Sequence, residues 1–226
     1  MKIIIIGGGV GLSAYHAPRK HLSPSSTNIT LYEAYPPSHF TTTVVGGGLG
    51  LHPNGQRAIA MISQAALQHI QSRGQEYAGR DKKRHGYGTM MAPRASAHED
   101  FLMDEEVIKD VKWGKGVKDI KELENKVEVH FEDGLGGIDN CDLLIVTDGV
   151  RSVCKEALSG KEYPAEYDGL TGIGGFLPLT SLSPTLQAAM KQNVVTITYR
   201  RSGFFGLALC TPSPSFSSSP PQQGMW

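Results

Sequence analysis

The chain opens on MKIIIIGGGVGLSAY, where four consecutive isoleucines run into three glycines. An unbroken β-branched apolar run has no polar face, so it suits a strand buried on both sides in a parallel sheet. Glycines at its end let the backbone turn sharply into the next element. Lys2 to Ile6 is therefore read as a strand, and Gly11 to about Lys20 as a helix. Pro18 inside that helix is expected to kink it or end it early. Asn28 to Tyr32 (NITLY) is a second strand, closed by Glu33. Strand, glycine turn, helix, strand is a right-handed βαβ unit.

The glycine spacing carries a chemical expectation. In a dinucleotide turn the pattern is GxGxxG: one glycine for the turn, one for close approach of a pyrophosphate, one for helix–strand packing. Gly7 and Gly9 fit, but the third position is Leu12; counted back from Gly11, Gly8 fits and the first position is Ile6. The loop is one residue short either way. Glu33, at the end of the second strand, can accept hydrogen bonds from both hydroxyls of an adenosine ribose and would repel a 2′-phosphate. The plainer reading is a surface glutamate at a strand end. In LLIVTDGVRS a third buried strand ends on Asp148 and Gly149. Ligands of open α/β sheets sit at such carboxyl ends, and Asp148 can equally cap the helix that follows.

The rest of the chain sets bounds. Lys plus Arg and Asp plus Glu are both 22 in 226 residues, so no charge imbalance draws the chain to nucleic acid or an anionic membrane. No apolar stretch reaches the length of a membrane helix. Cys141, Cys154 and Cys210 show no CxxC spacing and read as reduced thiols in a cytoplasmic protein; the eight histidines form no metal-ligand pattern. Residues 36–54 read as a Gly-, Thr- and Pro-rich loop, 57–73 as an amphipathic helix, 79–88 (GRDKKRHGYG) as a solvated basic loop, and 98–111 as a helix. Residues 117–123 and 126–131 alternate as a hairpin. Residues 150–158 and 184–191 read as helices, 172–179, 194–199 and 204–209 as strands of a second sheet, and the end as a Pro/Ser-rich tail.

The order of the glycine turn, Glu33, GGGLGLHPNGQRA, PRASAHEDFL and CDLLIVTDGVRS resembles the FAD-dependent class A flavoprotein monooxygenases, the family of para-hydroxybenzoate and salicylate hydroxylases and of fungal secondary-metabolite hydroxylases and epoxidases. The resemblance runs from Lys2 to Trp226. It implies an α/β fold: a Rossmann-like FAD-binding domain with a parallel sheet over 1–160, carrying an inserted segment at 85–135, and over 161–226 the beginning of a mixed β-sheet that covers substrate. It implies that Gly7, Gly9 and Gly11 lie against the FAD pyrophosphate and that Glu33 holds the adenosine ribose. Gly47 to Gly50 would pass the flavin, Arg94 would reach the ribityl-pyrophosphate region, and Asp148 would meet the pyrophosphate and incoming NADPH. FAD would be non-covalent, and NADPH and O₂ would serve hydroxylation or epoxidation of an aromatic or olefinic small molecule. No catalytic side chain is assigned; His52 is read as a loop residue first. The family has Leu where this chain has Ala97, and it continues past Trp226, so a truncated chain with an unpaired strand edge is expected. Two alternatives stand beside this reading. One is a non-catalytic flavin-domain fragment. The other is an NAD(P)-dependent reductase in which Glu33 selects NAD, although Tyr163 is followed by Pro, Ala and Glu, and position 167 is Tyr, so no Tyr-x-x-x-Lys pair supports it.

Overall fold

The structure is a computed structural model and describes residues 1–39, 47–77, 79–102, 105–132, 137–161, 164, 166–212 and 221–226. Part of the 36–54 loop, Tyr163 and most of the Pro/Ser-rich tail lie outside the described residues. The chain forms two compact units, one of Met1–His39 with Phe101–Leu170 and one of Phe40–Asp100 with Thr171–Trp226. Each unit alternates with the other along the chain, where the sequence reading draws one consecutive boundary near 160.

The first unit begins with β1 (Lys2–Ile6), α1 (Gly8–His21) and β2 (Asn28–Glu33). In the second unit follow β3 (Gly48–Leu51), α2 (Pro53–Ile62), α3 (Gln64–Arg73), β4 (Gln75–Tyr77), α4 (Gly79–His85), β5 (Thr89–Pro93) and α5 (Arg94–Phe101), whose last residue belongs to the first unit. The chain returns to the first with α6 (Glu105–Asp110), β6 (Val111–Trp113), β7 (Val117–Leu123), β8 (Lys126–Phe131), β9 (Ile138–Cys141), β10 (Leu143–Val146) and α7 (Val153–Ser159). The second unit closes with β11 (Phe176–Pro178), α8 (Pro184–Gln192), β12 (Val195–Arg200), β13 (Gly203–Leu209) and β14 (Gln223–Met225).

A four-stranded parallel sheet of order β10-β1-β2-β6 centres the first unit. Alternate side chains of β1 point to opposite faces. On one face Ile4 and Ile6 pack with Val129, Phe131 and Cys154, from the antiparallel β7-β8-β9 sheet and α7. On the other, Ile5 and Leu31 meet α1 at Gly11. All four isoleucines are buried, each contributing about 1.5–3 kcal/mol. The isoleucine run is thus explained by a sheet covered twice.

Helix α1 starts at Gly8, three residues before the expected start, and runs three residues past Pro18. Its last turn is held from outside. Buried Tyr15 donates to Asp110 on α6 at 2.5 Å, and Arg19 donates to the Tyr15 hydroxyl at 2.8 Å and pairs with Glu106. Pro18 removes one backbone donor near a helix end where few bonds remain to lose.

In the second unit β3-β5-β4 and β11-β14-β13-β12 are antiparallel sheets that share an apolar cluster of Met91, Ala208 and Cys210 with Tyr77, Phe176 and Met225. Several sequence expectations change here. The single helix at 57–73 is broken at Ser63, whose hydroxyl accepts the Ala66 N–H at 3.2 Å and so caps a new helix. The basic stretch at 79–85 is a helix, not a loop. The helix expected over 98–111 resolves into α5, α6 and strand β6, because Val111–Trp113 finds a parallel partner in Leu31–Glu33. The strand expected at 172–179 shortens to β11, and Gln223–Met225 of the tail fills the sheet between β11 and β13.

Candidate cofactor site

The register of the parallel sheet assembles the candidate site residues of the first unit. Ile6 stands opposite both Tyr32 and Val146, so the next residues, Gly7, Glu33 and Thr147, emerge side by side at the carboxyl edge. The Gly7 N–H donates to Tyr32 O and the Thr147 N–H to Ile6 O, both at 2.8 Å.

The glycines divide the work in a way that answers the spacing problem. Gly7 has φ +93°, and a Cβ there would stand 2.5 Å from Thr147 O. Gly11 does the close packing: a Cβ would stand 2.6 Å from Thr147 Oγ1 and 3.1 Å from Ile5 Cγ2. Leu12, which occupies the consensus third-glycine position, is instead a core residue. The short loop therefore has its packing glycine at position 11. Gly9 has nothing within 4 Å of its would-be Cβ and is exposed.

The helix end is electrostatically open. The first-turn N–H groups of a helix have no intrahelical acceptors and carry positive partial charge. Two are used, by Gly7 to Tyr32 and by Gly8 to Glu33 Oε2 at 2.5 Å. Those of Gly9 and Val10 follow on an exposed turn without an acidic residue. Glu33 is buried; its Oε2 takes the Gly8 N–H and its Oε1 the Tyr35 N–H at 2.9 Å. Each carboxylate oxygen keeps further acceptor capacity. Glu33 is thus joined to the glycine turn and is no stray surface glutamate. Gly8, which the sequence reading weighed for the spacing but gave no role, is required too, since its Cβ would meet Glu33 Oε2 at 2.9 Å.

Asp148 follows Thr147 on the same edge. Its Oδ1 is buried with no hydrogen-bond partner among the described residues. Its charge lies near Cys154, whose thiol is pushed up to about 12, first by burial and then by Asp148. Asp148 is not the helix cap; Ser152 is, accepting the Lys155 N–H at 3.0 Å. Thr147 is a site residue the sequence reading missed. Its hydroxyl lies 2.6 Å from Ile6 O and 2.8 Å from Gly7 O.

The second unit brings together Gly47, Gly50 and Arg94. Strands β3 and β5 pair Gly48 with Pro93 and Gly50 with Met91, and the Arg94 N–H donates to Gly47 O at 3.2 Å. Gly47 has φ +85°. The tight position is Gly48, where a Cβ would stand 3.0 Å from Met91 Cε and from Met225 Sδ; at Gly50 the nearest contact is an ordinary 3.6 Å. The Arg94 residue opens α5 and is exposed. Ala97 is buried. His52 precedes α2, with Nδ1 3.4 Å from Thr89 Oγ1. Among the described residues no group of three or more His, Cys, Asp or Glu could hold a metal ion.

No protein-family model matches the chain and no curated protein matches it. Solved structures do. HpxO from Klebsiella pneumoniae, complexed with FAD and uric acid, is 21% identical with a TM-score of 0.73, over 100% of this chain and 55% of that one. The 2,6-dihydroxypyridine-3-hydroxylase from Arthrobacter nicotinovorans is 17% identical with a TM-score of 0.70, over 100% and 55%. CtdE in complex with FAD is 15% identical with a TM-score of 0.68, over 100% and 58%. The chain spans little more than half the length of these proteins. The chain, with its parallel and antiparallel sheets, has the fold of these proteins.

Proposed function

We propose that the chain binds FAD non-covalently and serves an FAD-dependent monooxygenase. That enzyme uses NADPH and O₂ to hydroxylate or epoxidise an aromatic or polycyclic small molecule in secondary metabolism. One observation carries the reading. The open N–H groups of Gly9 and Val10 stand beside the Glu33 carboxylate at the carboxyl edge of a parallel sheet, a donor–acceptor pair matched to a pyrophosphate next to a ribose. The residues fit the cofactor: no Cβ obstructs Gly9, and Asp148 sets a carboxylate on the same edge.

In this reading Gly9 and Val10 bind the pyrophosphate, Glu33 accepts from the ribose hydroxyls, and Asp148 accepts from a cofactor hydroxyl. Arg94 supplies a guanidinium suited to a diphosphate. The carboxylate of Glu33 disfavours a 2′-phosphate, which reserves this turn for FAD and leaves NADPH to act as co-substrate. Bound FAD would supply hydride acceptance and O₂ chemistry that side chains cannot. Residues 1–160 would form the FAD-binding domain and 161–226 the start of the substrate cover. A cytoplasmic location belongs to the proposal, supported by three buried, free cysteines. Among the described residues no helix is long and apolar enough to cross a membrane.

The test is the visible spectrum of the purified chain, with the released cofactor identified after denaturation. Flavin bands at near-stoichiometric FAD are expected; a colourless protein that takes up no added FAD overturns the proposal. The chain's coverage of only 55–58% of HpxO and CtdE favours a second reading, a flavin-holding fragment without turnover. FAD binding without substrate-dependent NADPH consumption would select it.

A further inference from the structure

We infer that Thr147 is the positioning residue of the glycine turn: its hydroxyl orients the Gly7–Gly8 peptide, and through it Glu33. The inference rests on the FAD reading for its effect on cofactor, but its geometry stands alone. A peptide unit is planar and trans, so the carbonyl of Gly7 and the N–H of Gly8 point in opposite directions from one plane. Thr147 Oγ1 lies 2.8 Å from the Gly7 carbonyl oxygen. On the opposite side the Gly8 N–H donates to Glu33 Oε2 at 2.5 Å. One plane is therefore gripped between a hydroxyl from the β10 edge and a carboxylate from the β2 edge. The same hydroxyl lies 2.6 Å from Ile6 O, so its single proton is shared between the last strand carbonyl and the first turn carbonyl.

The sequence departure gives this strut its purpose. The loop is one residue short, and Gly11 is drawn against Thr147, with room for the hydroxyl only because Gly11 has no Cβ. A valine in place of Thr147 would set a methyl group at hydrogen-bond distance from two carbonyl oxygens. Carbon cannot sit there, so the peptide plane must rotate and Glu33 loses its donor.

The experiment titrates FAD into the full chain, read by flavin fluorescence, with Thr147→Val and Thr147→Ser beside the unsubstituted protein. Thr147→Val is expected to weaken FAD binding about tenfold, and Thr147→Ser to stay within about twofold, because serine keeps the hydroxyl. Thermal unfolding without cofactor is followed in a cycle of Thr147→Val, Glu33→Ala and the double variant. The double loss is expected to be smaller than the sum of the single losses, since both act on one peptide plane. Unchanged FAD affinity in Thr147→Val, failure of Thr147→Ser to restore it, or additive unfolding losses would each overturn the inference. If Thr147→Val does not fold, Thr147→Ala removes the hydroxyl without the clash and takes its place in both assays. If the unsubstituted chain takes up no FAD, the cofactor reading fails and the unfolding cycle alone decides the role of Thr147.

Discussion

Gly7 and Gly9 both belong to the turn by sequence, yet the structure gives them opposite responses to alanine. At Gly7 φ is +93°, and a Cβ would meet Thr147 O at 2.5 Å, Thr147 C at 2.7 Å and Asp148 Cα at 2.9 Å. These are backbone atoms, so no rotamer change relieves the contact. The strained φ costs an L residue about 1–3 kcal/mol, and forced overpacking costs about 1–3 kcal/mol more. Gly7→Ala should therefore lose about 2–6 kcal/mol. For a chain of this size each kcal/mol moves Tm by about 2–4 °C, so the drop is about 4–24 °C. Gly9 is already helical, and nothing lies within 4 Å of its would-be Cβ. Alanine there should leave Tm unchanged or raise it, by up to about 1 kcal/mol of helix preference. Its methyl group would nevertheless stand before the open N–H groups, and FAD affinity should fall at least about tenfold. Differential scanning calorimetry and flavin titration read the two effects separately. Equal melting losses in both variants would refute the assignment of strain to Gly7, and undiminished FAD binding by Gly9→Ala would refute approach of a pyrophosphate to this turn.

Arg94→Ala should keep its fold, because the structural contact at 94 is the backbone N–H to Gly47 O, while FAD affinity by titration drops about tenfold or more. Glu33→Ala removes the carboxylate that accepts from the Gly8 and Tyr35 N–H groups and should cost about 1–3 kcal/mol in urea unfolding. Buried Asp100 is raised above the ordinary 3.8, mainly by burial, with Arg73 and His69 opposing and Glu99 assisting. The unfolded chain ionises first, so this contribution to stability is present below pH 3.8 and is lost as pH rises through the folded value. Asp100→Asn should thus flatten the decline of Tm as pH rises above 3.8 through the folded value, and an unaltered decline would remove Asp100 as its source. Burial raises the thiols of Cys154 and Cys210 to about 12. A thiol reagent at pH 8 should leave both unmodified in the native protein and modify them once it is denatured.

What the sequence disclosed was local or periodic. Four β-branched residues in a row demand a strand covered on both faces, and glycines at its end demand a turn. The 117–131 hairpin shows as alternation, and the sheet structure pairs it as expected. Gly7, Glu33 and Asp148 were legible because strand ends mark the carboxyl edge before any packing is known. The basic segment at 79–85 misled because charge pattern reports solvation, and an exposed helix is as well solvated as a loop. Val111–Trp113 misled because three residues carry no period, and only pairing with Leu31–Glu33 makes them a strand.

The arrangement of the turn belongs to the tertiary structure. By itself the sequence determined that a strand, a glycine turn and a helix follow one another, since each rests on the preferences of neighbouring residues. It showed the loop as one residue short and could not say how the shortage is met. That answer came from β10, more than a hundred residues away, where the register of the parallel sheet sets Thr147 against Gly7 and Gly11. Spacing along a chain records only near neighbours, whereas the contact that shapes this turn exists only after distant strands have paired.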